Sequence, residues 1–149
     1  MLLEIELRIS QWPQGLGQIR SALQALLERG HVSDEVSEDV VLALEELVAN
    51  VFGHGAGGEV HLRIVCDGSK LDAEVIDSGP AFNPLAADDP DIDAGIEERP
   101  FGGLGVFLVK NLMDRVHYRR SEGHNHVYLT KRLAPGNAPK QAQERQRRR

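Results

Sequence analysis

Residues 46 to 55 read Glu46-Leu47-Val48-Ala49-Asn50-Val51-Phe52-Gly53-His54-Gly55, the second half of a segment whose apolar positions recur at helical spacing. Val36, Val40, Leu44, Leu47 and Val51 fall three or four residues apart and form one core stripe. Ser33 stands where an N-cap belongs, Asp34 and Glu35 occupy the first turn where the helix dipole favours acids, and the helix is expected to stop near Gly53. Glu46, Asn50 and His54 step along one flank of the stripe at i, i+4 and i+8, while Glu45 is expected to point toward solvent. One carboxylate, one amide and one imidazole thus line the edge where the helix leaves the core. Spacing leaves two readings open: a ligand-facing edge, or an ordinary polar boundary in which Glu46 bonds Asn50.

Upstream, Leu3, Ile5, Leu7 and Ile9 alternate with Glu4, Glu6 and Arg8, the pattern of a half-buried strand. Leu16, Ile19, Leu23, Leu26 and Leu27 then give a first helix that Gly30 is placed to end. Downstream, Val60-Leu62-Ile64-Cys66 and Leu71-Ala73-Val75 alternate around Asp67-Gly68-Ser69-Lys70, which is hairpin chemistry. Residues 78 to 103 lose all periodicity and read as a lid, with Pro80, Pro84, Pro90 and Pro100 and six acids between Asp88 and Glu98. Gly102-Gly103-Leu104-Gly105 opens a third helix with Val106, Val109 and Met113 as its stripe. Val116-Tyr118-Arg120 and Val127-Leu129 form a second hairpin around Gly123. The order strand, helix, helix, strand, strand, lid, helix, strand, strand predicts an α+β two-layer sandwich, its sheet mixed but mainly antiparallel, with helices on one face.

Two further clusters carry candidate chemistry. Asp77-Ser78-Gly79-Pro80 follows a strand directly. A carboxylate there can accept from a ligand amino group, and a glycine two residues on lets a flat ring approach the backbone, although the same four residues also make a good turn. Phe101-Gly102-Gly103-Leu104-Gly105-Val106 frees backbone N–H groups at a helix start, which suits phosphate or serves as a hinge. It is neither a dinucleotide fingerprint, because Leu108 stands where the last glycine is needed, nor a Walker A loop, because Gly-Lys-Ser/Thr is missing.

The composition sets the class. The 149 residues are 41% hydrophobic and 27% charged with a formal net charge of -6, enough for one domain with a real core. Residues 134 to 149 carry +4 and residues 1 to 133 carry -10. An acidic body disfavours nucleic acid and anionic lipid, which need a cationic face. The Pro-, Gln- and Arg-rich end reads as a disordered solubilising tail, with an electrostatic hook as the alternative. The single cysteine, Cys66, excludes an internal disulfide and reads as core packing. With no signal peptide and no run of 18 apolar residues, a cytoplasmic location without membrane contact is expected.

Taken together, the acid/amide flank, the Asp-x-Gly strand exit, the lid and the Gly-rich helix start resemble, over about residues 3 to 133, the GHKL (Bergerat) ATPase fold shared by gyrase, Hsp90, MutL and sensor histidine kinases. The likeness is greatest to the serine kinases that act as bacterial anti-sigma factors. Glu46 to Gly55 looks like that family's Asn-containing box, Asp77 to Phe82 like its adenine box, and Gly102 to Gly105 with Leu108 to Asp114 like its phosphate box. The resemblance implies ATP and Mg²⁺ as ligands, with Asn50 on the metal and Glu46 as base for the incoming hydroxyl. It implies Asp77 and Gly79 at the adenine, and the backbone of Gly102, Gly103, Leu104, Gly105 and Val106 around phosphate. It further implies a sigma factor or an anti-sigma antagonist as partner, and a homodimer. The family's last-strand threonine near adenine corresponds, on this reading, to Tyr128 with Thr130 two residues on. Arg20, on the first helix, is a docking candidate or a solvated helix residue. A histidine kinase's phosphoacceptor hairpin is not expected, since 149 residues offer no room for one beside the domain.

Overall fold

The computed structural model describes residues 2–29, 32–54, 58–86 and 103–133, with the backbone alone at residues 103 and 104. Residues 87 to 102 of the lid expected over residues 78 to 103, and the tail from residue 134, lie outside the described residues, as does Gly30. The elements are β1 (Leu3–Ile9), α1 (Leu16–Glu28), α2 (Asp34–Gly53), β2 (Val60–Cys66), β3 (Lys70–Asp77), α3 (Gly103–Leu112), β4 (Arg115–Ser121) and β5 (His124–Arg132). Ser33 caps α2 as expected, its hydroxyl accepting from the Val36 N–H at 3.2 Å. No described helix is long and apolar enough to cross a membrane.

The sheet order is β1-β2-β3-β5-β4; its mainly antiparallel character is as expected, and among the described residues all four pairings are antiparallel, with no parallel pair to make it mixed. Side chains alternate between faces, and the register stacks Leu7, Leu62, Val75, Val127 and Tyr118 in one row. The neighbouring row is Ile9, Val60, Asp77, Asn125 and Arg120, apolar at the β1 end and polar at the β4 end. Both rows face the helices. Ile19, Leu23, Leu26, Leu44, Leu47, Val48, Leu62, Ile64 and Leu129 join one core with them, each fully buried aliphatic side chain contributing about 1.5–3 kcal/mol.

The other sheet face is polar. Arg63 meets Glu4 at 2.7 Å, His126 meets Glu74 at 2.7 Å, and Thr130 donates to Asp72 at 2.7 Å. Tyr128 stacks on His117 with ring centroids 4.5 Å apart, and burial followed by the Glu74 carboxylate pushes its hydroxyl pKa up. Tyr128 and Thr130 therefore point away from the helices. The threonine position assigned to them by resemblance belongs to residues of the opposite face, because successive strand residues cannot share one.

Helix α2 lies between α1 and α3, so more of its circumference is buried than one stripe covers. Val41, Ala43 and Val48 are buried beside Val40, Leu44 and Leu47, while Val36 and Val51 are half-buried at the edges. This also corrects the two flanking charges. Glu45 does not face open solvent: it accepts from the Arg20 guanidinium at 2.9 Å and is 19% exposed, while Arg20 itself stays solvated, 62% exposed, and reaches across from α1 to make the pair. At the far end, Lys131 donates to the Leu112 carbonyl at the end of α3 and pairs with Asp39 of α2 at 3.2 Å. Cys66 is buried, and that burial raises its thiol pKa, consistent with packing.

The turns obey local chemistry. Glu122 and Gly123 both take positive φ, 51° and 79°, as a tight antiparallel hairpin requires. Asp67 Oδ1 accepts from the N–H groups of Ser69 and Lys70, both at 2.9 Å, and from the Ser69 hydroxyl at 2.8 Å. These bonds hold its pKa down at about 2. A carboxyl lowered on folding stabilises above the ordinary aspartate range, so this turn's contribution is full at neutral pH and is lost as pH falls through about 2. An NMR titration of the Asp67 carboxyl checks the value.

Before α1, a Cβ added to Gly15 would lie 2.2 Å from Ile9 Cγ2 and 3.0 Å from the Gln11 carbonyl, and Ile9 is fully buried. Gly15→Ala is expected to cost about 1–3 kcal/mol in urea unfolding. Gly17→Ala, whose Cβ meets nothing within 4 Å, is expected to raise stability by about 0.5–1 kcal/mol through reduced unfolded-chain freedom.

Candidate functional site

A pocket of about 240 Å³ opens between the C-terminal half of α2, the end of β3 and the start of β5. Leu47 and Val51 of α2 and Val75 and Val127 of the sheet form its apolar sides, and Ala81, Phe82 and Pro84 form a wall from the segment after β3. Its polar groups are Asn50, His54, Asp77 and Asn125. An apolar slot with a few convergent polar groups suits a flat ring read at its edge.

Asp77 ends β3 and is 9% exposed. Its Oδ1 accepts from the Gly79 N–H at 2.9 Å and from Asn125 Nδ2 at 3.0 Å, leaving Oδ2 without a partner among the described residues. Gly79 completes the turn that doubles back on the aspartate. Asp77-Ser78-Gly79-Pro80 is thus a turn, as its residues suggested, and its aspartate also lines the pocket.

Asn125 escaped the motif reading, yet it is the most completely bonded side chain in the site. Its Nδ2 also donates to the Pro80 carbonyl at 2.9 Å, and its Oδ1 accepts from the Phe82 N–H at 3.2 Å and the Tyr118 hydroxyl at 2.5 Å. Arg120 adds a 2.7 Å bond to the Gly79 carbonyl. The signal was present in the alternation, since Asn125 precedes Val127 and Leu129 by two and four residues and so shares their inward face.

Glu46 and Asn50, one turn apart on α2, divide their duties. Asn50 lines the pocket and makes no side-chain hydrogen bond among the described residues, so its amide is available to a ligand. Glu46 lies outside the pocket lining, against α3, where a Cβ added to Gly105 would fall 2.2 Å from its Oε2. The bond between them that a polar boundary would offer is not made among the described residues. His54 lines the pocket and its ring sits 4.1 Å from that of Phe82, tilted by 44°. It is a wall residue in ring contact.

Of the Gly-rich segment, Gly102 lies outside the described residues, and Gly103 and Leu104 begin α3. Gly105 packs on Glu46, and Val106 turns its side chain into the core, 7% exposed, so only its backbone is left for a ligand. Among the described residues no three His, Cys, Asp or Glu side chains gather as a metal cage. A divalent ion here would take one protein oxygen at most from Asn50 and the rest from a polyphosphate and water, the habit of Mg²⁺.

Comparison with known proteins agrees with this geometry. Residues 9–131 match the family model for the histidine kinase-like ATPase domain. The chain is 30% identical over 141 residues to the serine-protein kinase RsbW of Bacillus subtilis, covering 87% of this chain and 85% of that protein. It is 29% identical over 93 residues to the serine/threonine-protein kinase BtrW of Bordetella bronchiseptica, covering 62% of this chain and 66% of that one. The fold superposes with a TM-score of 0.60 on the crystal structure of the RsbU and RsbW domains of a Mycobacterium tuberculosis protein. That match has 16% identity and covers 87% of this chain and 32% of the other. The chain spans about a third of the mycobacterial protein and two thirds of the Bordetella one. With its asparagine-bearing helix, its aspartate at a strand exit and its glycine-opened α3, the chain belongs to the histidine kinase-like (GHKL) ATPase domain family, on its serine-protein kinase branch.

Proposed function

We propose that the protein transfers the γ-phosphoryl group of ATP to a serine or threonine hydroxyl of a small antagonist protein, and that it acts as an anti-sigma factor whose sigma partner is exchanged for that antagonist. The observation that carries this reading is the division of labour along one flank of α2. Asn50 faces the ring pocket, and Glu46, one turn earlier, faces the start of α3 at Gly105. Base pocket and phosphate-facing helix start are thereby joined by two side chains of a single rigid element.

In this mechanism Asp77 Oδ2 accepts the amino group of adenine, and the small pocket holds the base while the phosphates extend toward α3. The N–H groups at the start of α3 compensate phosphate charge. Glu46 takes the proton as the acceptor hydroxyl attacks the γ-phosphorus in line; the bond from that phosphorus to the β,γ-bridging oxygen breaks, and ADP leaves. Mg²⁺, when bound, supplies further charge compensation, with Asn50 as its protein ligand. Phosphoryl transfer asks for little beyond such positioning and charge compensation.

Radiolabel transfer to a candidate antagonist tests the assignment. Glu46→Gln is expected to lose about 10²–10⁴-fold in transfer while retaining nucleotide, and Asn50→Ala to lose transfer together with Mg²⁺-dependent ATP affinity. Equal transfer by wild type and both variants refutes the roles; ATP binding with no transfer to any partner identifies a non-catalytic interaction module instead.

Gly105 supplies a second test. The Cβ of Gly105→Ala meets the end of the flexible Glu46 side chain, which can swing aside. The fold is therefore expected to survive and ATP to bind, while the displaced carboxylate lowers transfer by about 10²-fold, the effect of a misplacement near 1 Å.

A further inference from the structure

We propose that Asn125, backed by Tyr118, is a positioning residue that sets the base selectivity of the pocket by fixing which oxygen of Asp77 a ligand meets; the proposal rests on the ATP-site reading above. Asn125 is 4% exposed, and every hydrogen-bonding position of its amide is used. The amide orientation follows from its neighbours. A carboxylate and a carbonyl can only accept, so they face the NH₂, and the Phe82 N–H must face the oxygen. A side chain with no spare donor or acceptor cannot read a ligand itself. It can only hold something that does.

What it holds is the rotation of the Asp77 carboxylate. With Oδ1 engaged by both the Gly79 N–H and Asn125 Nδ2, the unengaged Oδ2 is the oxygen offered to the pocket. As a hydrogen-bond acceptor, this oxygen favours a base edge that presents an amino group and opposes one that presents a carbonyl. A site built around a hydrogen bond discriminates far better than one built on apolar fit, provided its polar group cannot turn to suit the wrong ligand. The Tyr118 hydroxyl closes the other side of the amide, and Arg120 pins the Gly79 carbonyl, so three residues of the β4–β5 hairpin brace one turn of β3.

The test uses the whole chain and compares equilibrium affinity for ATP with that for inosine triphosphate, which carries a carbonyl where ATP carries the amino group. Wild type is expected to prefer ATP by at least about tenfold. Asn125→Ala is expected to bring the ratio close to one, and Tyr118→Phe, which removes one hydroxyl, to lower it by about threefold. Tyr128→Phe makes the same chemical change on the opposite face of the sheet and is expected to leave the ratio at its wild-type value. If Asn125→Ala weakens both nucleotides by the same factor, or if Tyr128→Phe moves the ratio as far as Tyr118→Phe, the positioning role is overturned. Should Asn125→Ala fail to fold, the Tyr118→Phe ratio decides, an unchanged value overturning the proposal. Equal wild-type affinity for the two nucleotides overturns the selectivity proposal and leaves the ATP-site reading standing, whereas absence of ATP binding by the wild type defeats that reading, and the proposal with it.

Discussion

The antiparallel register at the end of the sheet is the constraint on which the site depends. Because Asp77 pairs with Asn125, and Asn125 in turn with Arg120, one inward-facing row changes from the apolar Ile9 and Val60 to three polar side chains within five strands. A slip of one residue between β3 and β5 would send Asn125 to the solvent face and leave Asp77 buried without its partner. Losing one of the two hydrogen bonds to a buried carboxylate oxygen makes that slip unfavourable, so the bond between Asp77 and Asn125 also helps select the strand pairing.

The second organising feature is that α2 is enclosed on two sides. Consecutive residues on a helix point about 100° apart, and here that angle sends Glu45 to Arg20 of α1 and Glu46 to Gly105 of α3. Two neighbouring acids of identical local character therefore have unrelated environments. The first is neutralised in a partly exposed ion pair of modest worth. The second rests where a helix begins, next to a glycine whose missing side chain leaves room for it. The polar outer face of the sheet, with its Glu4–Arg63 and Glu74–His126 pairs, plays no part in this arrangement and shows how little of the surface the site needs.

Much of the fold was legible because its signals are local. The alternation in residues 3 to 9, the Ser33 cap, the stop near Gly53 and the two hairpin turns each follow from residues a few positions apart, and each element formed where the pattern placed it. The site was legible to the extent that it shares that locality. Asn50 and Asp77 line one pocket, and Glu46 lies one turn from Asn50, as their helical and strand-end positions suggested. Readings that needed knowledge of what lies across a gap changed, among them the environment of Glu45, which meets Arg20 of α1 rather than open solvent, and the outward orientation of Tyr128 and Thr130.

Chain order and periodicity were thus enough to establish an α+β sandwich with a polar flank on its second helix and a carboxylate at a strand exit, since backbone geometry converts sequence spacing directly into facing direction. They could not establish which groups those side chains would meet. Asn125 is 48 residues from Asp77 and 43 from Phe82, and no local pattern encodes a bond over such a distance. Strand register and helix packing brought them together, and the saturation of the Asn125 amide, which with the Gly79 N–H engages one Asp77 oxygen, exists only once that packing is complete.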